Sequence, residues 1–133
     1  MSTTTIKESK TSESTKVAQL FGEMNSFNSC LKLVHWDVTG KGSYAMHIAL
    51  DQAVHTLRDA TDRLVETTYA NLGDLHIVIP ETKKPKDPIA YCEGFYDHVE
   101  NMRGLFKDSF SQSILDDYQE GIKQLLYRLK RLQ

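Results

Sequence analysis

The chain has 133 residues, 40% of them apolar and 26% charged, with a formal net charge of −2. That length suits one domain with one core, and that charge gives no general attraction to nucleic acid or to an anionic membrane. Cys30 and Cys92 are too few for a disulfide framework and read as buried thiols of a reducing compartment. No apolar run approaches the roughly 20 residues needed to span a bilayer. The first residues, MSTTTIKESKTSEST, lack the apolar stretch of a secretory signal, so a cytoplasmic location is expected.

Residues 1–14 are rich in Ser and Thr and nearly devoid of apolar side chains. Such a segment buries too little surface to offset its ordering entropy, and a disordered tail is expected there, with the folded domain over 15–133. The first helix is predicted from Ser14 to Asp37. Its stripe is Val17, Leu20, Phe21, Met24, Phe27, Leu31 and Val34, spaced by one, three and four residues. Gly40 and Gly42 break it, and Ser43 is the expected N-cap of the second helix. That helix is predicted over Tyr44 to Asn71, with Leu50, Val54, Leu57, Leu64 and Val65 as its apolar face and Thr61 and Thr68 on the same side.

Gly73 to Lys86 reads as a connection with Pro80 and Pro85; its apolar piece Leu75–Ile79 fits either a helical turn or an extended segment. Asp87 followed by Pro88 is a strong start signal for the third helix, whose stripe runs Ile89, Cys92, Phe95, Val99, Met102, Phe106. Ser109 and Gln112 fit a capping box for the fourth. Its stripe is Ile114, Leu115, Tyr118, Ile122, Leu125, Leu126, Leu129 and Leu132, with basic residues in the last turn to suit the dipole. Four amphipathic helices predict an all-α bundle, and the long link between helices two and three is able to cross it, as in ferritin-like folds.

The chemistry-bearing residues cluster between His35 and Glu66: His35, His47, Asp51, Asp62 and Glu66. At about 100° per residue, His47, Asp51, Asp62 and Glu66 fall within roughly one quadrant or so of the second helix, beside its apolar stripe. Acids and imidazoles placed there lose solvation, and a bound cation is one compensation. His47 and Asp51 are one turn apart, as are Asp62 and Glu66, but His47 and Asp62 are separated by roughly 22 Å along the axis. One straight helix cannot bring both pairs to one metal. Two copies packed antiparallel about a twofold near residues 56 and 57 can. Imidazoles with carboxylates suit iron, manganese or zinc. Singly, each residue reads more simply as a satisfied core histidine or a surface ion pair, such as Asp62 with Arg58 or Arg63. No Glu is followed three positions later by His, so an intrasubunit di-iron centre is not expected.

His35-Trp36, the glycines at 40 and 42, His47-x-x-x-Asp51 and Asp62-x-x-x-Glu66 resemble, spacing for spacing, the motif of the Dps family, the ferritin-like proteins of starved cells. The helix pattern is similar over about residues 16–132, and the specific likeness lies in 35–66. The resemblance implies a ferroxidase site between two subunits, with His35, His47 and Asp51 from one chain and Asp62 and Glu66 from the other. It implies Fe(II) oxidation by hydrogen peroxide or dioxygen and storage of ferric mineral in a homododecameric shell. It also suggests Trp36 as a nearby electron source, against a plain packing role. The departures concern DNA and iron access. Many members bind DNA through a basic tail, whereas residues 1–16 carry Lys7, Lys10 and Lys16 against Glu8 and Glu13, a net of +1, so DNA is a weakly supported partner. Asp116, Asp117 and Glu120 stand where the family's access pores carry acids, but Gly121 and Lys123 interrupt the pattern. The competing expectations are a structural helical subunit without this chemistry and a nucleoid-binding protein.

Overall fold

The computed structural model describes residues 2–132, with side chains from Glu13 to Leu132. Its helices are α1 (Ser2–Asp37), α2 (Ser43–Leu72), α3 (Pro88–Met102) and α4 (Ser109–Arg131), with a 3₁₀ turn at Arg103–Leu105, and there is no strand among the described residues. The predicted stripes face inward: Leu20, Phe21, Met24, Phe27 and Leu31 of α1, Leu50, Leu57 and Leu64 of α2, Cys92 and Val99 of α3, and Leu115, Tyr118 and Ile122 of α4 are buried in one core. No helix among the described residues is long and apolar enough to cross a membrane.

Side-chain contacts fix the helix directions. Asn28 meets Thr61 and Lys32 meets Asp51, so α1 and α2 are antiparallel. Tyr91 meets Cys30 and His98 meets Glu23, so α3 is antiparallel to α1. Gln52 meets Arg128 and Arg63 meets Asp117, so α4 is antiparallel to α2. Helices α2 and α3 are therefore parallel, and the connection between them must travel the length of the domain. It does so along α1: Gly22 lies against Val78, Ser26 bonds to Thr82 and Cys30 donates to the carbonyl of Lys83. Lys84 ends the run on Asp37. The Leu75–Ile79 piece is non-helical, with Leu75 and Ile77 half-buried against the core and Val78 and Ile79 exposed.

Several boundaries differ from expectation. The backbone of residues 2–14, expected as a disordered tail, continues α1; adding turns to an established helix avoids the nucleation cost. Met1 and the side chains of residues 2–12 lie outside the described residues. Ser43 is the first residue of α2 rather than its N-cap. Gly42 takes the cap position at φ 79°, a left-handed geometry that favours glycine, and no side chain caps the helix. Asp108, not Ser109, caps α4, accepting from the Ser111 N–H. The Gln112 amide instead donates to the carbonyls of Arg103 and Phe106. Arg103 explains this: its guanidinium is held by Glu100, Gln112, Asp116 and Gln119, which turns the chain at the end of α3. Asp87 caps α3 as expected, accepting from Ala90.

Candidate metal centre

The antiparallel pairing of α1 and α2 places the end of one helix beside the start of the other. His35, in the last turn of α1, thereby meets His47 and Asp51 from the first turns of α2. The two imidazole rings lie with centroids 3.7 Å apart and planes inclined by 31°. The Nε2 of His35 is 3.8 Å from Oδ1 of Asp51. His35 is only 5% exposed, and neither of its ring nitrogens has a hydrogen-bond partner among the described residues. A buried polar atom without a partner costs roughly 1–3 kcal/mol, so an imidazole with both nitrogens unpartnered is poorly explained by packing alone. His47 is exposed and Asp51 half-exposed at the mouth of this group.

Electrostatics sets the protonation states. Burial pushes the His35 imidazole below its usual 6.5, helped by the charge of Lys32 and by His47 and opposed by Asp51. Asp51 is held below the usual carboxylate value of 3.8, chiefly by the hydrogen bond from Lys32. At neutral pH the pair is therefore a neutral imidazole and an ionised carboxylate, the forms in which both donate electron pairs to a cation.

Asp62 and Glu66 are not part of this cluster. Both are exposed on α2 beyond Asp51; Asp62 follows Asp51 by roughly 17 Å at 1.5 Å per residue. The simpler expectation for Asp62, an ion pair with Arg58 or Arg63, is not met among the described residues: Asp62 is paired with neither, and Arg63 turns to Asp117 on α4. Among the described residues no group of three or more His, Cys, Asp or Glu is placed to hold a metal ion within the single chain. His35 is therefore a neighbour of both His47 and Asp51 without the three forming a metal-holding group in the single chain, Asp62 and Glu66 are remote on α2, and Asp51 faces the Lys32 ammonium at 3.1 Å.

Trp36 is 66% exposed, which rules out the core-packing role. His55 is exposed on α2. Asp116 and Asp117 are both engaged in ion pairs, with Arg103 and Arg63. Cys30 and Cys92 are buried free thiols. Lys32 was not singled out in the sequence, although its position three residues before His35 puts both on one face of α1.

No curated protein and no solved structure matches the chain. A family described as of unknown function, DUF5856, matches residues 35–129, from His35 almost to the end of α4 and including all five predicted residues. With that match covering well over half of its length, the chain belongs to DUF5856.

Proposed function

We propose that this protein is a Dps-like ferroxidase and iron store: an enzyme that oxidises Fe(II) at sites shared between twofold-related subunits and deposits the ferric product inside a hollow homo-oligomer. The observation that carries the reading is His35, buried with both nitrogens unpartnered and converging with His47 and Asp51. Two further observations support it. The helix directions, with a connection running along α1 between parallel α2 and α3, are compatible with the long crossover that a ferritin-like bundle requires. Asp62 and Glu66 are exposed on the helix face that an antiparallel copy of α2 would cover.

In this reading iron is the substrate. His35, His47 and Asp51 of one chain hold Fe(II) with Asp62 and Glu66 of a second chain. Two ferrous ions give one electron each to one hydrogen peroxide, whose O–O bond breaks. With water, the products are ferric oxyhydroxide and four protons, and no hydroxyl radical is released. Dioxygen is the alternative oxidant. Carboxylates suit the product side, because they stabilise the added charge of Fe(III).

The test is to load the protein anaerobically with Fe(II), add peroxide, and follow ferric absorbance beside sedimentation. The reading expects rapid oxidation by an oligomer much larger than the 15.2 kDa chain. Monomers at micromolar concentration, or oxidation no faster than in buffer, would remove it. A second reading, a structural helical subunit without chemistry, is favoured by one observation: within the chain Asp51 is already satisfied by Lys32.

A further inference from the structure

The ammonium of Lys32 lies 3.1 Å from Oδ1 of Asp51, in the position a cation would take on that carboxylate. We propose that Lys32 is a resident counter-ion that a divalent metal must displace, and that it sets both the affinity and the selectivity of the His35–His47–Asp51 group. The inference rests on the ferroxidase reading, since it concerns the same residues.

Three features point to it. Lys32 and His35 share one face of α1, so the ammonium and the buried imidazole approach Asp51 from the same side. The Lys32 side chain is 36% exposed, and it lines a cleft of about 550 Å³ between α1, α2 and the connection. Trp36 and Ser29 also line that cleft, so the four-carbon stem has room to withdraw and an aromatic face to settle on. Finally, among the described residues Lys32 is the one lysine or arginine paired with Asp51; its other ion-pair neighbour is the His35 imidazole at 3.8 Å.

Displacement creates a filter. An ion that binds only oxygen, such as Mg²⁺ or Ca²⁺, gains a single carboxylate from this half-site and must evict an ammonium to get it. A transition ion gains the two imidazoles as well. Lys32 therefore taxes every cation, and only those with affinity for nitrogen overcome it. Removing the ammonium lifts the tax from all of them.

The experiment is Co(II) titration of the full chain by calorimetry and by visible absorption, with Mg²⁺ titrated in parallel. It compares wild type, Lys32→Met and Lys32→Arg, each repeated with Asp51→Asn. Lys32→Met should bind Co(II) at least about tenfold more tightly, since a unit charge about 4 Å from a divalent ion is worth about thirtyfold even at the dielectric constant of bulk water. It should also begin to bind Mg²⁺. Lys32→Arg, which keeps the charge, should bind no better than wild type. With Asp51→Asn, replacing Lys32 should gain much less, because the competed group is gone. Lys32→Gln repeats the test if the methionine variant fails to fold. Equal or weaker Co(II) binding by folded Lys32→Met, beside a wild type that binds, would overturn the counter-ion role and leave the ferroxidase reading intact. Absence of Co(II) binding by every folded variant would overturn both.

Discussion

Gly22 on α1 lies against the backbone carbonyl of Val78 so closely that a Cβ at position 22 would overlap that oxygen. The contact is between two backbones, so no side chain can rotate away to relieve it. Gly22→Ala should therefore push the connection off α1 and destabilise the fold by about 1–3 kcal/mol. Gly94→Ala is the control. It is also helical, but nothing lies within 4 Å of its Cβ position, and alanine there should stabilise by up to about 1 kcal/mol. Urea unfolding of both variants checks the pair, and equal responses would contradict this account of the connection.

The core is pinned by a polar chain as well as by apolar packing. The Tyr118 hydroxyl donates to Asn28 Oδ1 at 2.9 Å, the Asn28 amide donates to Thr61 Oγ1 at 3.1 Å, and that hydroxyl donates to the Leu57 carbonyl at 2.7 Å. This ties α4, α1 and α2 together in a region closed to water. Tyr118→Phe keeps the ring and strands a buried acceptor, so it should cost about 1–3 kcal/mol. In a double-mutant cycle with Asn28→Ala the losses should fall short of additive. Full additivity in thermal or denaturant unfolding would mean the hydrogen bond contributes nothing.

Cys92 gives a pH signature. Burial, with a smaller contribution from Glu93, pushes its thiol from the usual 9.0 up to about 12. The folded chain holds this proton while the unfolded chain releases it. Stability is therefore undiminished below pH 9.0 and falls as pH rises from there toward about 12. Tyr91 and Tyr118, also raised by burial, steepen the fall at the upper end. Cys92→Ala should be less stable near neutrality but flatter between pH 9 and 10, where the thiol, with the lowest ordinary value of the three, contributes most. A thiol reagent at pH 8 should leave the native Cys92 unmodified; fast labelling without unfolding would show that the site is open.

His35 gives the opposite slope. Its imidazole is held below 6.5 by burial first, then by Lys32 and His47. Below pH 6.5 the unfolded chain takes up a proton that the folded chain resists, so stability falls on acidification, starting at that pH. His35→Asn should remove this part of the acid loss. An unchanged profile between pH 5 and 7 would mean that His35 takes up its proton equally in the folded and unfolded chains, so that burial does not hold it neutral.

The helices were legible because their apolar residues recur at helical spacing and each buried stripe, such as Leu20, Met24, Phe27 and Leu31, is one face of one helix. The caps were less so. Ser109 looks like an N-cap beside Gln112, but Arg103 claims the Gln112 side chain and Asp108 supplies the better acceptor. Such choices depend on residues that come together only after α3 and α4 turn. The path of the connection was hidden for the same reason: Gly22 reads as a weak helix residue until Val78 is placed against it. In the candidate site, the one-turn spacing of His47 and Asp51 on α2 was readable, whereas His35 was placed with them by the resemblance. Lys32 was not readable, because a lysine on a helix face is ordinary until its partner from α2 is known.

The most direct measurement of the central claim mixes two inactive proteins. One variant carries His47→Ala with Asp51→Ala; the other carries Asp62→Ala with Glu66→Ala. Each alone breaks every shared site and should oxidise Fe(II) poorly. In a mixed dimer one of the two sites collects both damaged halves, while the other receives intact His47 and Asp51 from one chain and intact Asp62 and Glu66 from its partner. Co-refolding should therefore restore ferric absorbance after peroxide addition, to at most half the wild-type rate per mixed dimer. Mixed oligomers that assemble properly and stay as inactive as their parents would contradict the shared site and the ligand roles assigned to these residues.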